Sequence, residues 1–139
     1  MAGENVLPVS EYPDDFTTVA FVVTGVGAVL ADADDFVLFY AERHMVVDAV
    51  YFTCPDADAN DTFALKRLDT ATTDPDSAGT AFTDDVIVNA VYTATAATIV
   101  TTENYIPAGS MIALNVEAGG AGAEHATVTV QIRYRTRLK

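Results

Sequence analysis

The chain has no tryptophan, one cysteine, two lysines and seven basic residues in all, against 20 acidic residues. Each shortage excludes something. A single cysteine, Cys54, cannot form an internal disulfide or supply a multi-cysteine zinc site. A formal net charge of −13 opposes binding to nucleic acid and to anionic membranes, both of which call for positive charge. The longest apolar run, Val19 to Ala31, is about 13 residues, short of the ~20 that span a bilayer, and Asp14, Asp15, Asp32, Asp34 and Asp35 flank it. No basic region opens the chain as a signal peptide would. No stretch carries the apolar period of a long amphipathic helix.

What is present points to strands. Half of the 139 residues are apolar, enough for one domain with a core of its own. Ala, Val and Thr are abundant and Asp far outnumbers Glu. Short acids with few lysines suit a surface that stays soluble in salt, as in a halophilic or marine source; a GC-rich genome gives the same bias. Residues 1–17 read as an extended arm, because Pro8 and Pro13 oppose helix and Glu11, Asp14 and Asp15 keep the segment hydrated. Residues 18–139 read as the folded domain.

Within the domain, short apolar runs alternate with turn-forming residues. Strands are expected at Thr18 to Thr24, Val26 to Ala31, Phe36 to Glu42, Met45 to Thr53, Thr62 to Leu68, Thr98 to Thr102 and Met111 to Glu117. Ala81 to Tyr92 is ambiguous between a capped short helix and a strand. Ile106-Pro107-Ala108-Gly109 is a turn signal. From Ala126 onward, Val128, Val130, Ile132 and Tyr134 share one face and Thr129, Gln131, Arg133, Arg135 and Arg137 the other, the period of a half-buried antiparallel strand. The count of eight or nine strands predicts an all-β antiparallel sandwich.

Two runs break the alternation. Phe36 to Tyr40, and Met45 to Phe52 apart from Asp48, are apolar on both faces. Such strands want a second cover, which predicts a homo-oligomer whose interface includes Phe36, Leu38, Tyr40, Val47 and Tyr51. Arg133, Arg135, Arg137 and Lys139 are four of the seven bases. They form a basic stripe that either docks on an acidic surface, of a neighbouring copy or a larger scaffold, or pairs within the chain.

Chemistry is sparse. Asp56, Asp58, Asn60 and Asp61 alternate oxygen side chains like the opening of a calcium loop, but Asp61 stands where that loop needs glycine and Arg67 where it needs a bidentate glutamate. The plain alternative is a solvated turn, so no cofactor is required and calcium is the one candidate. Ser10, Ser77 and Ser110 lie in no nucleophile elbow. His44 and His125 are too few and too scattered to frame a metal enzyme. Gly119-Gly120-Ala121-Gly122 precedes a strand rather than a helix, so it reads as a connection and not a phosphate cradle.

The order of elements resembles the small head decoration (cement) proteins of tailed bacteriophages and archaeal viruses, of jelly-roll type. The stretches that carry the resemblance are Val47 to Phe52, Thr62 to Arg67, Gly79-Thr80-Ala81, Ile106 to Leu114 and Val128 to Arg135. The resemblance implies a jelly-roll sandwich, no enzymatic activity, and a homo-oligomer, commonly a trimer. It implies a place on the outer surface of a virion, bound to the major capsid protein. A carbohydrate-binding or adhesin-type jelly roll, with calcium in the Asp56 to Asp61 loop, is the competing expectation; the lack of tryptophan counts against it.

Overall fold

A computed structural model of the chain describes residues 16–24, 35–55, 61–69, 79–88, 90–117 and 127–137. These form ten β-segments: β1 Thr17–Thr24, β2 Asp35–Tyr40, β3 His44–Thr53, β4 Thr62–Leu68, β5 Thr80–Ala81, β6 Val86–Ile87, β7 Thr95–Ala96, β8 Tyr105–Ile106, β9 Met111–Glu117 and β10 Thr127–Arg137. Of the arm expected over residues 1–17, residues 1–15 lie outside the described residues, as does the strand expected at Val26 to Ala31, while Thr17 opens β1.

The segments build two antiparallel sheets, a β-sandwich. Sheet I runs β1-β10-β3, with β7 and β8 both on the far edge of β3. Sheet II runs β2-β9-β4, with β5 and β6 both on the far edge of β4. Each pair of two-residue segments acts as one interrupted edge strand, so the ten segments fill eight strand positions.

Side-chain groups carry the pairing where the edges are interrupted. At Phe82 the backbone N–H donates to Leu65 O at 3.0 Å, and Leu65 N–H donates to Thr83 Oγ1 at 2.9 Å, a hydroxyl in place of a ladder carbonyl. Across β3, Val47 N–H donates to Asn104 O at 3.0 Å and Asn104 Nδ2 donates to Val47 O at 2.8 Å. Both sites leave buried backbone groups satisfied without a continuous strand.

Thr98 to Thr102 is not a strand, contrary to the expectation from sequence. Only an isolated bridge forms there, Thr83 to Ile99, and a turn follows in which Glu103 N–H donates to Val100 O at 2.9 Å. The bridge joins the edges of the two sheets and closes that side of the sandwich. On the other side β1 and β2 meet through the stacked rings of Phe21 and Phe39, centroids 5.4 Å apart.

The core fills from both sheets. Val128, Val130 and Ile132 of β10 face inward, opposed by Ile112, Leu114 and Val116 of β9. Phe52 of sheet I stacks on Phe63 of sheet II at 5.6 Å between centroids, and both are wholly buried. Each such ring stabilises the fold by roughly 1.5–3 kcal/mol through removal from water. Arg67 braces one end of the sandwich: from β4 its Nη1 donates to Glu103 O at 3.0 Å and Tyr105 O at 3.1 Å. The expected turn beside it is present, with Ser110 N–H donating to Pro107 O at 3.1 Å and Gly109 at φ 94°, a conformation that glycine adopts without a Cβ penalty.

Two bulges explain the doubly apolar strands. In β3 the register against β10 skips Asp48, so Met45 and Val47 face the core before it and Val50 and Phe52 after it. Val47 is therefore part of the chain's own core, at 0% exposure, and offers no surface to a partner, contrary to its expected interface role. In β2 the register against β9 skips Leu38; Phe36, Leu38 and Phe39 pack half-buried against the core, and Val37 and Tyr40 remain exposed.

Candidate interaction surface

The outer face of sheet I is the most chemically distinctive surface among the described residues. Arg133, Arg135 and Arg137 occupy alternate positions of β10, and the pleat points all three outward and leaves them exposed. Each guanidinium lies near an aromatic ring. Arg133 sits 5.0 Å and Arg135 6.0 Å from the centroid of Phe16, and Arg137 lies 5.9 Å from that of Tyr105. Such placements orient the cations and shield their stems while the charge faces water.

The bulge in β3 contributes the counter-charge. Asp48 falls on the outer face, where Arg133 Nε donates to its Oδ1 at 3.1 Å and Nη2 to its Oδ2 at 2.9 Å. This two-point contact, chiefly its hydrogen bond and then its Coulomb attraction, raises the Arg133 pKa above the ordinary guanidinium value. The pair is exposed, so it orients Arg133 more than it stabilises the fold.

Below the stripe, Tyr105 stacks on His44 with 5.8 Å between centroids. The Ala108 N–H donates to His44 Nδ1 at 3.1 Å, which makes that nitrogen the acceptor and places the ring proton on Nε2. The Tyr105 hydroxyl lies 2.8 Å from the same nitrogen. His44 is thus a structural residue of the β2–β3 and β8–β9 turns. A cavity of about 240 Å³ opens beside these turns, lined by Phe39, Tyr40, Arg43, Met45 and Tyr134 among others.

A second feature stands at the opposite end of the sandwich. Thr93 N–H donates to Ala90 O at 3.3 Å, closing a turn whose third residue is Tyr92 at φ 50°. That position suits glycine; a tyrosine there costs about 1–2 kcal/mol. Tyr92 is 76% exposed, with Val91 and Ile87 also exposed. The turn is fastened by Tyr92 N–H donating to Cys54 O at 2.9 Å.

The remaining candidates divide as follows. Tyr51 lies half-buried on the outer face of sheet I, opposite Gln131. Tyr40 is exposed at the end of β2, and Phe36 and Leu38 are half-buried. Lys139 lies outside the described residues. So do Asp56, Asp58 and Asn60; of the calcium candidates only Asp61 is described, and it is buried. Among the described residues no three metal-ligating groups come together. Cys54 is a buried thiol in no disulfide. It and His44 stand at opposite ends of β3, roughly 30 Å apart at ~3.3 Å per residue, so they form no nucleophile–base pair.

Nothing in the sequence pattern marks Phe16, Tyr105 or Tyr92. The first two reach the arginines only through strand pairing, and the third is distinguished only by a backbone angle.

No family model matches the chain, and no curated protein sequence matches it. Among solved structures, a chain of the "Cyanophage Pam1 capsid asymmetric unit" is similar over 97% of this chain and 94% of its own length, with a TM-score of 0.53 and 13% identity. At that identity the likeness is one of fold, and it runs essentially end to end.

Proposed function

We propose that the chain is a structural virion protein that decorates the outer surface of a viral head and reinforces it as a homo-oligomer, acting by binding and not by chemistry of its own. The observation that carries this reading is the end-to-end likeness to a chain of a cyanophage capsid asymmetric unit, 97% of one chain against 94% of the other. We read the strand order as a jelly roll: the described residues fill eight positions in two sheets, with β1 beside β10 and β2 beside β9. The arginine stripe of sheet I supports a docking role, because three guanidiniums held in a row on a chain of net charge −13 favour an acidic partner surface. Trimeric symmetry is the expected closure, the major capsid protein the expected scaffold, and residues 1–17 the arm that grips it.

The test is made on particles. Tryptic peptides of this chain should be found in gradient-purified virions from the source that encodes it, and antibodies against the chain should label intact particles. Particles that lack the chain would overturn the reading; a chain detected only after the particles are opened would overturn the outer-surface placement.

A further inference from the structure

The registers place His44, Leu68, Tyr105, Met111 and Arg137 at one end of the sandwich and Thr24, Thr53, Thr62, Glu117 and Thr127 at the other. The charges follow that axis. Every Lys and Arg among the described residues sits at the middle or toward the first end, where Asp48, Asp69 and Glu103 are engaged with Arg133 and Arg67. Toward the second end the described residues include Asp61, Asp84, Asp85 and Glu117 and no Lys or Arg. The exposed Ile87, Val91 and Tyr92 belong to this same end, since Ile87 pairs with Thr62 and Tyr92 is bonded to Cys54.

We infer that the acidic, tyrosine-tipped end of one copy docks on the arginine face of sheet I in a second copy. The inference rests on the homo-oligomer reading above and names its surfaces. Face-to-face association of two copies is disfavoured: on the outer face of sheet I the described residues offer Asp48 as the acid, and Arg133 already holds it. Two such faces would set three arginines against three. End-to-face association instead brings Asp84, Asp85 and Glu117 to Arg135 and Arg137. It lays the Tyr92 ring on a guanidinium and sets Val91 and Ile87 against the exposed Val22. A strained turn that holds an aromatic ring in water gains nothing inside one copy; a ring-binding surface on the next copy supplies the return. The contact joins unlike patches, so it repeats from copy to copy and closes into a ring where the rotation allows.

The experiment measures mass by light scattering and sedimentation on the full chain, with circular dichroism to confirm folding. Asp84→Lys/Asp85→Lys and Arg135→Glu/Arg137→Glu should each be monomeric where the unaltered chain associates, and an equimolar mixture of the two should associate again. Tyr92→Gly should raise the melting temperature, because glycine fits the turn, while weakening association at least tenfold. Association that persists through both reversals, or a mixture that stays monomeric, overturns the surfaces and leaves the homo-oligomer standing. If a reversal fails to fold, Tyr92→Gly decides: a raised melting temperature with unchanged association overturns the inference. An unaltered chain that is monomeric at every concentration removes the homo-oligomer reading as well.

Discussion

Strands β9 and β10 both lie inside their sheets, each with a neighbour on either side, yet their outer faces differ completely. In β10 the inward Val128, Val130 and Ile132 are buried while the outward Gln131, Arg133 and Arg135 meet water. In β9 the inward Ile112, Leu114 and Val116 are buried, and so are the outward Ala113 and Asn115. Their neighbours on β4, Ala64 and Leu68, are buried on that same outer side. Sheet I thus has a wet outer face, whereas the outer side of sheet II is covered over most of β9 and β4, with the half-buried Lys66 and the exposed Val37 at its margin. The difference separates two jobs: sheet II anchors the fold and sheet I presents side chains.

The largest expected effect comes from placing one residue on the two outer faces. Ala113→Arg would put a charge where no water reaches and should cost about 4 kcal/mol or more, enough to prevent folding. Gln131→Arg, at the matching place in sheet I, should change stability by no more than about 0.5 kcal/mol. Chemical denaturation of both variants checks this, and similar losses would dissolve the distinction. A middle effect tests the layer that the sheets share. Phe52→Ala and Phe63→Ala remove partners of one stack from opposite sheets, and each should lose roughly 3–5 kcal/mol in the same measurement. The smallest effects contrast one arginine from each sheet. Arg67→Met breaks two hydrogen bonds to backbone carbonyls at a largely buried side chain and should cost about 1.5–3 kcal/mol. Arg133→Met should leave the melting temperature unchanged, since its bond to Asp48 lies in solvent.

The same contrast governs what could be read from sequence. Alternation marks a strand with one wet face, so β10 and its outward arginines were legible residue by residue. The covered strands β4 and β9 were legible differently, as short apolar runs ended by turn residues, and their observed bounds, Thr62–Leu68 and Met111–Glu117, coincide with the expected ones. The bulges were not legible. One skipped residue inverts the faces that follow it, so Met45 to Phe52 looked apolar on both sides when its phase shifts at Asp48. The same shift puts Val47 in the core rather than at an interface. The interrupted edges escaped notice because their pairing depends on Thr83 and Asn104, side chains whose bonds are set only by the tertiary fold. The aromatic partners of the arginines are hidden likewise, since Phe16 and Tyr105 are far from β10 along the chain.

The pairing of β1 with β10 has a kinetic corollary. Val130 sits opposite Phe21, and every register pair between these two strands joins residues more than a hundred positions apart. Closing so long a loop precedes any reward from the contacts, which places folding in the slow class, on the order of milliseconds to seconds. Among the described residues β10 is the strand that pairs with β1, so the Val19, Phe21 and Val23 side chains wait on its arrival for that support. Refolding yield should therefore fall as protein concentration rises, because nascent chains compete with β10 for that ribbon.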